Sequence, residues 1–119
     1  MDFNEVVETV VESVPGGIAS VVMAADGISL ADYIKPGASV DIQTLGIEYT
    51  AIIAEIKKAA EVLKAGEMEE LTVRTDQLLF LVRLITDEYF IALALKPGGN
   101  CGKGRYLLRI KSQCLAEEF

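Results

Sequence analysis

The chain has 119 residues, 51% of them apolar, and a formal net charge of −7. That length and apolar content describe one folded domain with a sizeable core, and the acidic balance argues against nucleic acid and anionic membrane as partners. Histidine is absent, which removes the commonest general base, the imidazole metal ligands and the Ser-His-Asp arrangement together.

Phe3, Val6, Val7, Val10, Val11 and Val14 recur at three- and four-residue steps and predict a helix over residues 3–14. Asp2 is placed to cap it, with Glu5 three positions on as in a capping box, and Pro15-Gly16-Gly17 ends it. Acidic Asp2, Glu5 and Glu8 are foreign to a secretory signal, so the expected location is the cytoplasm. Ile18 to Ala25 contains one polar residue, Ser20, and predicts a strand covered on both faces. Asp26-Gly27 is a two-residue hairpin signal. Ile28 to Ile34, with Ser29 and Asp32, predicts an outer strand, broken by Lys35-Pro36-Gly37.

A long helix is expected from Asp41 to Ala65. Ile42, Leu45, Tyr49, Ile52, Ile56, Ala59 and Leu63 alternate in steps of three and four, and Ile53 and Ala60 widen the stripe. Ser39 or Asp41 is placed to cap it, and Gly66 stands at the expected C-terminal position. Strands are predicted over residues 67–75, 77–86 and 89–95, with Asp76-Gln77 and Asp87-Glu88 as turns. The last two are apolar on both faces, whereas Glu70, Thr72 and Arg74 alternate with Leu71 and Val73. A final helix is expected from Lys103 to Glu118, burying Leu107, Ile110 and Cys114, with Leu108 and Leu115 as further candidates. Because consecutive antiparallel strands normally pair, joining the two apolar strands left without a second neighbour gives a five-stranded antiparallel sheet, order 2-1-5-4-3. The long helix covers one face and the other two helices cover the other.

No catalytic residue set stands out. Cys101 and Cys114 have no metal or redox spacing, and along one helix thirteen residues span ~20 Å, too far for a disulfide. No metal or cofactor is expected. The apolar runs are short and Arg83 interrupts the longest, so no membrane insertion is expected. The glycine-rich loop Lys96 to Gly104 resembles a phosphate-binding turn, but its spacing is not that of a Walker A loop, and reversal of the chain is the plainer role. Arg83 inside an apolar strand needs a carboxylate, backbone oxygens or solvent; an arginine finger is the sharper alternative.

Two surfaces invite partners. Gly46, Thr50 and Ala54 lie four residues apart on the long helix, with Ile47 and Ala51 beside them. Small residues there suit a helix–helix contact with a second copy or a partner, or simply a wide buried face. The third strand offers an edge. Antiparallel pairing with its own copy about Thr72 would set Glu70 opposite Arg74 twice; otherwise the edge is a charged, solvated one.

Val14 to Ala31, with its small-residue start, apolar strand, Asp26-Gly27 and second strand, resembles the first hairpin of the roadblock/dynein light chain family. Asn100-Cys101-Gly102-Lys103-Gly104-Arg105-Tyr106-Leu107-Leu108 resembles that family's entry to its last helix, and the element order matches over nearly the whole chain. The resemblance implies a profilin-like sandwich. It also implies a homodimer in which the long helix and third strand meet their copies. Bacterial MglB-like members bind a small Ras-like GTPase through the long-helix surface and often stimulate its hydrolysis, without donating an arginine. The matching regions here are Ile47, Thr50, Ala51 and Ala54, and Glu70 to Arg74. The extensions that some GTPase-activating members carry beyond the last helix have no counterpart, so the resemblance extends to binding and leaves activation open. A nucleotide-independent scaffold of the motor light chain type and a small-molecule sensor domain are the alternatives.

Overall fold

The structure is a computed structural model describing residues 2–119. Helix α1 (Phe3–Ser13) starts where the Asp2 carboxylate accepts the Asn4 backbone N–H at 2.9 Å, so the expected cap is present. Its stripe buries Val6, Val7, Val10 and Val11, and Val14 follows them into the core. Then come β1 (Gly17–Ala24), β2 (Ser29–Ile34), α2 (Ile42–Val62), β3 (Glu70–Arg74), β4 (Leu79–Leu84), β5 (Tyr89–Leu95) and α3 (Cys101–Ala116). The strands form one antiparallel sheet in the order β2-β1-β5-β4-β3, as expected.

Strand alternation gives two apolar layers. Val22, Leu79, Leu81, Ile91, Leu93 and Leu95 meet the valines of α1 and Leu108 and Leu115 of α3. Val21, Met23, Phe80, Val82, Phe90 and Ala92 face α2 and its Ile42 and Ile53. β1 and β5 are buried along most of both faces, and β4 is buried from Leu79 to Val82. The one polar residue of β1, Ser20, is satisfied by donating to the Ala92 carbonyl at 2.6 Å.

Local corrections follow from backbone chemistry. The first hairpin closes around Ala25-Asp26-Gly27, three residues and not two. Ala24 donates to Ile28 O, Gly27 donates back to Ala24 O, and Gly27 takes φ +92°. Helix α2 ends at Val62, and the chain turns out of it at Lys64, ahead of Gly66: Ala65 N–H reaches Ala60 O and Lys64 N–H reaches Glu61 O, with Lys64 at φ +54°. That is the two-bond C-terminal motif usually built on glycine. Helix α3 is rotated from the expected stripe. Gly104, Leu108, Ser112 and Leu115 are buried, while Leu107, Ile110 and Cys114 are half-buried. The two small residues set this rotation. A Cβ at Gly104 would stand 2.8 Å from Leu81 Cδ1, so the helix touches the sheet at its least bulky point.

Candidate interaction surfaces

Of the 21 residues of α2, Ile42, Gly46 and Ile53 are buried. Gly46 lies over β1, where a Cβ would meet Met23 Cε at 2.8 Å and Met23 Sδ at 2.9 Å. Its small size therefore lets the helix approach its own sheet; no second helix is needed to explain it. Ile47, Thr50, Ala54 and Lys57 lie on the flank overlooking the β1–β2 and β4–β5 turns. Ile47 comes near Gly27, and Lys57 Nζ donates to the Asp87 carbonyl at 2.6 Å. Thr50 is half-buried, its hydroxyl donating to Ile47 O at 2.6 Å, while Ala51 and Ala54 are exposed.

The opposite flank carries Leu45, Ile52, Ile56, Ala59 and Leu63. Its N-terminal part belongs to the core: Leu45 and Tyr49 join the layer that contains Leu71 and Val73 of β3, and Tyr49 stacks on Phe80 with centroids 4.6 Å apart. Beyond it the apolar residues emerge into solvent, Ile52 at 44% and Leu63 at 75% relative exposure, and Val62 next to Leu63 at 72%. The three- and four-residue spacing assigns Ile52, Ala59 and Leu63 to the core seam, and the structure takes them out of it. A strict seven-residue pattern drifts by about 20° per heptad relative to an α-helix. Over three heptads the seam therefore walks off the sheet, and this drift is the signal in the sequence.

At the edge strand β3, Thr75 N–H bonds to Leu78 O at 2.8 Å and Leu84 N–H to Glu69 O at 3.0 Å. These two bonds set the phase of the ladder. Residues 69, 71, 73 and 75 pair toward β4, so the backbone groups of Glu70, Thr72 and Arg74 point outward. Their side chains lie on the α3 side of the sheet. Glu70 is already engaged there, by Arg83 Nη1 at 3.1 Å and by Arg105 Nε at 2.8 Å, with Arg105 Nη2 on the same oxygen. The expected pairing of Glu70 with Arg74 of a second copy would thus share a carboxylate that two arginines already hold. Arg83 has found the acid that its apolar setting demanded. Thr72 and Arg74 are exposed.

The loop before α3 is a chain reversal. Lys96 N–H bonds to Gly16 O at 2.9 Å and Asn100 N–H to Pro15 O at 2.8 Å, while the Asn100 side chain caps the helix by accepting from Lys103 N–H at 3.0 Å. Cys101 and Cys114 are free, half-buried thiols on one helix. Among the described residues no group of three or more acidic or cysteine side chains could hold a metal ion, and no helix is long and apolar enough to cross a membrane. No buried side-chain polar atom among them lacks a partner. The cleft between α2 and the β4–β5 turn, lined by Thr50, Ile53, Ala54, Leu84 and Phe90 among others, measures about 80 Å³, below the roughly 300–1,000 Å³ of small-molecule sites, and a wider hollow of about 380 Å³ lies at the hairpin turns, lined by Ala24, Ala25, Asp26, Glu88 and Tyr89.

No protein-family model and no curated protein sequence matches the chain. Solved structures do. MglC from Myxococcus xanthus is 37% identical, with 100% of each chain covered and a TM-score of 0.71. The Roadblock/LC7 domain from Streptomyces avermitilis is 14% identical, with 99% of this chain and 98% of that one covered and a TM-score of 0.85. The gliding protein MglB from Thermus thermophilus is 18% identical, with 95% and 84% covered and a TM-score of 0.84. The last two likenesses speak for the fold, and the first speaks for descent. With a relative this similar along its whole length and the roadblock architecture around it, the chain belongs to the roadblock/dynein light chain family, as a relative of MglC.

Proposed function

We propose that the chain is a homodimeric protein-binding platform that regulates a small Ras-like GTPase and contributes no catalytic residue of its own. The observation that carries this reading is the full-length likeness to MglC. The surfaces are consistent with it. Outward backbone groups at Glu70, Thr72 and Arg74 suit antiparallel pairing centred on Thr72, and exposed Ile52, Val62 and Leu63 give α2 an apolar flank for a second copy to cover. The flank carrying Ile47, Thr50, Ala51 and Ala54 then remains for the partner.

All four arginines of the chain, Arg74, Arg83, Arg105 and Arg109, belong to β3, β4 and α3. None lies on the α2 side, so a GTPase docked on α2 would meet no arginine finger and would keep its own catalytic groups. The test is binding of a Ras-like GTPase from the same cell, loaded with a non-hydrolysable GTP analogue or with GDP. Preference for the analogue, lost in Ala51→Glu, supports the reading. Equal retention of both forms would replace regulation by a nucleotide-independent adaptor role, and no retention would refute GTPase binding.

A further inference from the structure

The charge of this chain is segregated. Its net charge is −7, yet α3 carries Lys103, Arg105, Arg109 and Lys111 with no acidic residue between Cys101 and Ala116. Beside it on the same side of the sheet stand Arg83 and Arg74, so every arginine in the molecule lies on one strip. Glu70 is the acid that neutralises part of it, shared by Arg83 and Arg105. Arg109 lies one turn beyond Arg105, exposed, over the ring of exposed Tyr106 at 5.5 Å from its centroid. The neighbouring helix α1 exposes Glu5, Glu8 and Glu12, and its cap Asp2 is exposed as well.

We infer that the α3–β3 strip is a docking site for a short acidic protein segment, which crosses the molecule on the side opposite α2. The inference rests on the dimer part of the reading above. In the register centred on Thr72, Arg74 of the second copy comes level with Glu70. Each carboxylate then sits among three arginines, and the excess positive charge repeats across the two-fold axis. Arginine, in place of lysine, matches carboxylates bidentately. Tyr106 adds an amphipathic surface for an apolar residue between the acids. The occupant must be short and narrow. A nucleic acid duplex or an anionic bilayer would spread onto the acidic surface around the strip, including α1, and be repelled.

The test measures fluorescence anisotropy of a labelled Glu-rich peptide of about a dozen residues, titrated with the full chain, while mass photometry reads the oligomeric state. Wild type should bind, and Arg109→Glu should weaken binding at least about tenfold with the dimer intact, because that side chain makes no ion pair among the described residues. Arg109→Lys should recover part of the loss. Thr72→Pro, which leaves all four arginines in place, should bind more weakly as a monomer. Unchanged affinity in Arg109→Glu would overturn the site, as would equal binding of duplex DNA or phosphatidylserine vesicles. A wild-type dimer that ignores the peptide overturns this inference alone. A wild-type monomer that binds it overturns the dimer reading and the two-fold continuation of the strip together.

Discussion

Thr72→Pro is the sharpest perturbation available, because the phase of the β3–β4 ladder makes its two effects separable. The bonds at Thr75–Leu78 and Glu69–Leu84 place the Thr72 N–H on the outer edge, where it has no partner among the described residues. Proline there removes no bond from the folded monomer, and edge strands tolerate it in that orientation. In the paired register, Thr72 of each copy exchanges N–H···O bonds with the other, so the substitution deletes two bonds by symmetry. At roughly 0.5–1.5 kcal/mol each, the dimer should lose about 1–3 kcal/mol, a rise in Kd of roughly 5- to 150-fold. Ring bulk between strands whose paired Cα atoms stand ~5.5 Å apart adds to it. Sedimentation equilibrium over a dilution series reads the Kd, and far-UV circular dichroism checks that the fold survives. An unchanged Kd with the fold intact would refute strand pairing about Thr72, and a wild type that is monomeric at micromolar concentration would refute the dimer itself.

Ile52→Glu, on the exposed flank of α2, should weaken the dimer by about tenfold or more, the extent expected for charging an apolar contact, without loss of helical signal; collapse of the monomer would instead place Ile52 in the core. Lys64→Gly should raise stability by about 1 kcal/mol, since Lys64 adopts φ +54° where an L side chain is strained; chemical denaturation measures it. Gly17→Ala should cost about 2–3 kcal/mol, because its Cβ would lie 2.4 Å from the Val11 carbonyl oxygen, a backbone atom that cannot step aside without moving α1. Asp41 caps α2 through the Thr44 backbone N–H at 3.0 Å and the Thr44 hydroxyl at 2.7 Å, and these bonds hold its carboxyl below the usual carboxylate value. A lowered folded-state pKa gives stability that is present above the ordinary value of 3.8 and is lost as the pH falls below it. Thermal melts of Asp41→Asn against wild type should therefore differ by a constant amount above about pH 5 and shift in the variant's favour below pH 3.8.

The sheet order could be read from the sequence because apolarity on both faces is a property of single strands. Ile18 to Ala25, Leu78 to Val82 and Tyr89 to Leu95 declared themselves central, and the polar alternation at Glu70, Thr72 and Arg74 declared an edge. The helix faces were harder. On α2 the heptad spacing and the sheet-facing 3.6-residue spacing coincide at Ile42 and diverge by Leu63, so the pattern alone did not say which seam the sheet would take. On α3 the contact face is marked by what is missing, a glycine and a serine at 104 and 112, and hydrophobicity does not register small residues. The capture of Glu70 by Arg105 joins residues 35 apart in sequence; only the crossing of α3 over β4 brings them together.

Because α2 buries only two side chains, Ile42 and Ile53, beside Gly46, and sits on the sheet mainly near β1 and β2, its C-terminal half is held in the monomer by little beyond Ile53 and the Lys57–Asp87 bond. Backbone amides from Ile52 onward should exchange with solvent deuterium through local openings that leave the β1–β5–β4 centre closed. Occupancy of the exposed flank would then appear as slowed exchange in that half-helix alone. A copy bound there could also be traded for a paralogue at the rate of helix opening, with the sheet never unfolding.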